Sequence, residues 1–102
     1  MNYKILFTTK ADADIEDAFN WYENQKQFLG WELRDELSNC IDKIMNDKVD
    51  YQMVTDCIHK LRLNRFPYSL YYIKDLHKKQ VTILALFHSK RNPLEIKELL
   101  KL

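Results

Sequence analysis

Glycine is nearly missing from this 102-residue chain: Gly30 is the single example, beside two prolines, Pro67 and Pro93. Average usage would give about seven glycines and about five prolines. A phosphate-cradling loop and a dinucleotide fingerprint both need glycines at fixed offsets, so neither can be built. Collagen-like and Gly/Pro-rich disordered classes are excluded as well. Long apolar runs are also missing, since no stretch approaches the roughly 18 residues of a membrane span. Met1-Asn2-Tyr3-Lys4 leads into no apolar signal region. Cysteine is scarce, with only Cys40 and Cys57. Free thiols in a reducing cytoplasm are the expectation, ahead of a single disulfide. His59, His77 and His88 share no metal-ligand spacing with the cysteines, so no metal and no cofactor is expected.

What is present argues for one packed domain over residues 1–102, with 46% hydrophobic and 13% aromatic residues. The net charge of +1 hides a division. Residues 1–57 hold six Lys/Arg and twelve Asp/Glu, whereas residues 58–102 hold ten and three. Such an asymmetry points to a nucleic acid or an acidic partner for the basic half.

Residues 3–8 are apolar strand formers and predict a first strand. Thr9 precedes an acidic first turn, and Ala11, Ile15, Ala18, Phe19 and Tyr22 recur at helical spacing, predicting a helix to about Gln25. Gly30 is expected in the break that follows. A second amphipathic series runs Leu33, Leu37, Cys40, Ile41, Ile44, Met45. Two helices joined by so short a loop should form an antiparallel hairpin. Residues 46–56 are polar and aperiodic, which reads as a loop. Strands are predicted over 58–64, 68–74 and 80–88, the last apolar on both faces and so central. Pro93 should open a short C-terminal helix over 94–100. The fold class is therefore α+β: an N-terminal strand, then an antiparallel helical hairpin packed on a twisted, mostly antiparallel sheet, then the tail helix.

Alternation on residues 58–64 sets His59, Leu61 and Leu63 on one face and Lys60, Arg62 and Asn64 on the other, with Arg65 following. His88, Lys90 and Arg91 form a second basic cluster, and Phe66, Tyr68, Tyr71 and Tyr72 lie between the two in sequence. Cations interleaved with aromatics can hold phosphates and stack bases. The plainer reading is a solvated strand face with tyrosines packed hydroxyl-outward. His88 ends a strand beside two cations, where a general acid/base or a phosphate ligand could sit. His59 and His77 read as structural or turn residues.

Four stretches together resemble the RelE/ParE toxins. Residues 11–23, ending in Trp21-Tyr22-Glu23, are similar to that family's first helix with its Trp-Tyr pair, and Phe28-Leu29-Gly30 to the loop before its second helix. Arg65-Phe66-Pro67-Tyr68-Ser69-Leu70-Tyr71-Tyr72 resembles its Arg-Phe-Pro-Tyr strand, and residues 81–93, with His88 and Arg91-Asn92-Pro93, its His-x-x-Arg-x-Pro ending. The resemblance implies a toxin of a bacterial type II toxin–antitoxin pair, neutralised by a cognate antitoxin whose acidic stretches would suit the basic half. A toxin–antitoxin heterocomplex is expected, with a toxin homodimer as a further assembly.

One branch of the family, similar to RelE, cleaves mRNA on the ribosome. In that branch Lys60, Arg62, Arg65, His88 and Arg91 would be the catalytic candidates, His88 as acid/base and the cations as phosphate binders. Its arginine on the following strand falls at Ser69, and residues 92–102 lack its late tyrosine. The Phe-Pro-Tyr and His-x-x-Arg-x-Pro pieces look more like ParE, which inhibits DNA gyrase by binding. The ParE-like reading is preferred, and it makes Lys60, Arg62, Arg65, Tyr68, Lys90 and Arg91 the residues that bind target or antitoxin.

Overall fold

The computed structural model describes residues 3–46, 52–53 and 58–90. The elements run β1 (Lys4–Phe7), α1 (Thr9–Gln25), α2 (Leu29–Met45), β2 (Gln52–Met53), β3 (Ile58–Arg62), β4 (Tyr68–Asp75) and β5 (Gln80–His88). The expected tail helix, Arg91 and Cys57 lie outside the described residues. The five strands form one mixed sheet in the order β1-β5-β4-β3-β2. β1 runs parallel to β5 and the other pairings are antiparallel. β4, not β5, is therefore the middle strand. β5 still has a neighbour on each side, which fits its continuous apolar run.

Helix α1 begins one residue earlier than its acidic turn suggests. Its N-cap is Thr8, whose Oγ1 accepts from the Ala11 amide at 3.0 Å. The same hydroxyl donates to the Leu84 carbonyl at 2.9 Å, fastening the start of α1 to β5. Helix α2 begins at Leu29, four residues before the periodic series, because polar Glu32 and large exposed Trp31 mask its first turn in the sequence.

Gly30 is not in the break but in that first turn, and the left-handed residue of the connection is Phe28, at φ 72°. Gly30 is required by closeness instead. A Cβ there would lie 2.6 Å from the Phe19 carbonyl oxygen and 2.8 Å from the Phe19 ring, so the two helices meet backbone to backbone.

The hairpin covers one face of the sheet. Leu33, Leu37, Cys40 and Ile44 form the inner stripe of α2 and join Ala11 and Ala18 of α1 over Leu70, Tyr72, Val81, Ile83 and Leu86. Fully burying each leucine or isoleucine contributes about 1.5–3 kcal/mol relative to leaving it exposed. Cys40 is a free thiol, and burial raises its pKa. A second buried cluster, Ile58, Tyr71, Leu84, Ala85 and Phe87, occupies the opposite face.

Two local features depart from expectation. The stretch expected to be loop holds β2, which pairs Gln52 with Lys60 and Met53 with His59. β5 also carries a bulge: Tyr71 pairs with Ala85 but Tyr72 pairs with Ile83, so Leu84 faces no partner on β4. The extra residue shifts the inside–outside phase of everything after it.

Candidate functional site

The bulge decides what the candidate site can be. Strict alternation from Val81 and Ile83, both in the helix-side core, would turn Phe87 toward the helices and His88 away from them. The observed order is the reverse: Leu86 packs under the helices and Phe87 belongs to the outer cluster. His88 pairs across the ladder with Tyr68, which packs against the helix-side core. The bulged backbone is held at its carbonyl by Thr8, and the Leu86 amide donates to the Asp14 carboxylate at 3.1 Å. β1 pairs with β5 only as far as Ile83, so α1 side chains satisfy backbone groups that no strand reaches.

The sequence-predicted residues are thereby divided between two faces. On the outer face, pairing aligns Arg62 with Ser69 and Phe87, and Lys60 with Tyr71 and Ala85. Arg62 is exposed and Lys60 half-buried, and among the described residues neither forms an ion pair. Ser69, aligned between Arg62 and Phe87, is only 4% exposed. Burial raises the pKa of the Tyr71 phenol, and Tyr71 is the ladder partner of Lys60.

On the helix face, His88 lines a cleft of about 270 Å³ with Asp14, Asp17, Ala18, Trp21, Tyr68 and Leu86. Its ring meets Tyr68 edge-on at 5.1 Å, and its Nδ1 accepts the Lys90 amide at 3.1 Å. Tyr68 and Tyr22 share a side-chain hydrogen bond, and both phenols are raised, first by burial. The Lys90 side chain is exposed just beyond the strand. Among the described residues His88 thus lines a cleft with aromatic rings and two carboxylates, Lys90 being the cation next to it in the chain. Asp14, Asp17, Ala18 and Trp21 fall at i, i+3, i+4 and i+7, so this wall was present in the sequence as one helical face.

Arg65 stands apart from both groups. Its Nη2 meets Glu32 Oε1 of α2 at 2.5 Å, and its guanidinium lies 5.5 Å from the Phe66 ring. Its amide donates to Glu36 at 3.1 Å, and the Asn64 amide donates to the same carboxylate. The hydrogen bond to Glu32 raises the guanidinium further above its already high value. Two carboxylates one turn apart on α2 therefore clamp the β3–β4 connection, and Arg65 is the held residue. Nothing in the basic strand announced this, because its partners lie about thirty residues away. His59 is stacked on Tyr72 at 5.3 Å, the structural role expected of it. Among the described residues, no group of three or more His, Cys, Asp or Glu is placed to hold a metal ion, and no helix is long and apolar enough to cross a membrane.

A helical hairpin on one face of a mostly antiparallel sheet, with the other face carrying strand cations, defines a known architecture. The chain has the fold of the RelE/ParE toxins. It is similar to a chain of the chromosomal ParDE TA system from P. aeruginosa at a TM-score of 0.70 and 16% identity, covering 86% of this chain and 97% of that one. The isolated E. coli RelE toxin is similar at 0.67 and 15% identity, covering 95% of each chain. The intact E. coli RelBE toxin-antitoxin complex gives 0.66 and 16% identity, covering 88% of this chain and all of the other. No protein-family model and no curated protein matches the sequence.

Proposed function

We propose that this chain is the toxin of a type II toxin–antitoxin pair that acts as ParE does, by gripping a protein target such as DNA gyrase. The shared fold supports the toxin role. Binding is favoured over catalysis by the separation of His88 from Lys60 and Arg62 on opposite faces of the sheet. RNA cleavage needs the acid/base group and the phosphate-binding cations around one scissile bond. Ser69 adds to the same argument by leaving the outer face one arginine short. The cognate antitoxin, in this reading, lays acidic stretches against Lys60, Arg62 and Lys90, which lie in a 58–90 segment of net charge +6. Arg91 extends that set in sequence. The cytoplasm is where all these partners would meet.

The second reading, a RelE-like ribosome-dependent nuclease, draws on one observation: Lys60 and Arg62 share a solvent-facing row with no acidic partner among the described residues. Expression of the chain without an antitoxin separates the two. DNA-damage signalling with intact transcripts, together with inhibition of supercoiling by purified chain, is the expected result. Transcripts shortened at the ribosomal A site, with unimpaired supercoiling, would replace it with the second reading.

A further inference from the structure

Strand β5 changes phase at Leu84. Tyr72 of β4 pairs with Ile83 and Tyr71 with Ala85, so Leu84 is the extra residue. Leu84 and Ala85 both join the outer cluster, and Leu86 then packs under the helices. A strand's register is ordinarily set by which of its faces is apolar. Ala85, Leu86 and Phe87 are apolar in succession, so burial separates the two phases only weakly. The start of α1 supplies what burial does not. The Thr8 amide donates to the Ile83 carbonyl at 3.0 Å, and the Thr8 hydroxyl donates to the Leu84 carbonyl at 2.9 Å. Asp14 accepts from the Leu86 amide at 3.1 Å. Lys10 meets the other Asp14 oxygen at 2.6 Å and lies 5.0 Å from the Phe87 ring. Residues 8–14 thus grip the chain on both sides of the bulge. β1 ends its pairing at Ile83, so no described strand competes for this edge.

We infer that Thr8 and Asp14 form a register latch: they hold β5 in the bulged phase, and their release lets the strand slip by one residue into a regular ladder that carries His88 to the face of Lys60 and Arg62. The slip has a definite end point. Tyr71 would pair with Leu84, Leu70 with Ala85, Ser69 with Leu86 and Tyr68 with Phe87, each one residue back from the pairing observed. Ala85 and Phe87 would then turn under the helices, and Leu86 and His88 outward. Backbone amides reverse direction along a strand together with the side chains, so the Leu86 amide would turn toward β4 and leave Asp14. The Asp14 bond therefore belongs to the bulged phase alone and selects it. Asp14 is only 11% exposed, where losing a partner is costly. This goes beyond the binding reading, which uses the separation of His88 from the cations but not its cause.

Nuclear Overhauser contacts in the purified chain read the register directly, with no target present. In the parent, the Tyr71 backbone protons should contact those of Ala85, and the Tyr68 ring should contact the His88 ring. In a Thr8→Val/Asp14→Leu variant both contacts should move by one residue, to Leu84 and Phe87. A folded variant that keeps the parent contacts overturns the latch, as does a parent in which Tyr71 already contacts Leu84. Thr8→Ser/Asp14→Asn retains a hydroxyl and an acceptor oxygen and should keep the parent pattern. A slip in that variant as well would mean that these hydrogen bonds do not hold the register, and overturns the latch too. Should the first variant unfold, Asp14→Leu alone, which keeps the Thr8 cap, decides by the same measurement. It should show the moved contacts beside the parent ones, and their absence overturns the latch.

Discussion

The two faces of the sheet are built from the same strands yet have become different surfaces. The helix face is a dry core whose polar groups are matched from α1 and α2: Asp14 to the Leu86 amide, Lys74 to the Ile44 carbonyl at 2.6 Å, Thr8 to the Leu84 carbonyl. The outer face mixes a small apolar cluster with cations that find no such match among the described residues. Matched polar groups contribute stability because leaving them buried and unpaired costs about 1–3 kcal/mol. Unmatched cations at the surface contribute almost none and remain available to a partner. In the proposed reading the outer face is left for recognition, and His88 lies on the other side, at the edge of the helix face.

That division can be broken most forcefully at Leu70, fully buried beneath the hairpin. Leu70→Ala should cost about 3 kcal/mol through lost burial and a residual cavity, read from urea denaturation. Thr8→Ala comes next. It removes the α1 cap and the tie to the bulge together, for about 1–2 kcal/mol by the same measurement. On the outer face, Lys60→Ala/Arg62→Ala should stay within about 0.5 kcal/mol of the parent. The same variant should weaken co-purification with the antitoxin, the more so at low salt. A large stability loss there would erase the contrast between the faces.

The smallest effect is at the β4–β5 turn. Backbone hydrogen bonds, first from Lys78 and then from His77, hold the Asp75 carboxyl below its usual pKa. A carboxylate depressed in the folded state stabilises above its unfolded pKa of about 4 and loses that contribution as pH falls through the folded value. The stability advantage of the parent over Asp75→Asn should therefore shrink in denaturation curves taken from neutral pH down to pH ~3. An advantage that grows on acidification would mean that the turn does not favour the ionised form.

Much of this was legible along the chain. The α2 stripe from Leu33 to Ile44, the alternation that separates Lys60 and Arg62 from Leu61, and the apolar run of β5 each follow a fixed period, and period is a local property. The joint behaviour of distant residues was not legible. No pattern distinguishes a bulge at Leu84 from a regular strand, because a run apolar on both faces reads the same in either phase. Sequence neighbours could not show that Glu32 and Glu36 would hold Arg65.

The sequence by itself determined the two helices, β1 and the three long strands β3 to β5, their class and the division of charge, since each depends on which residues are adjacent or periodically spaced. Only the tertiary structure decided which face His88 joined, that Phe28 and not Gly30 makes the left-handed turn, and that Gly30 serves the close approach of two helices. Each of those depends on contacts between segments that meet only in the folded chain.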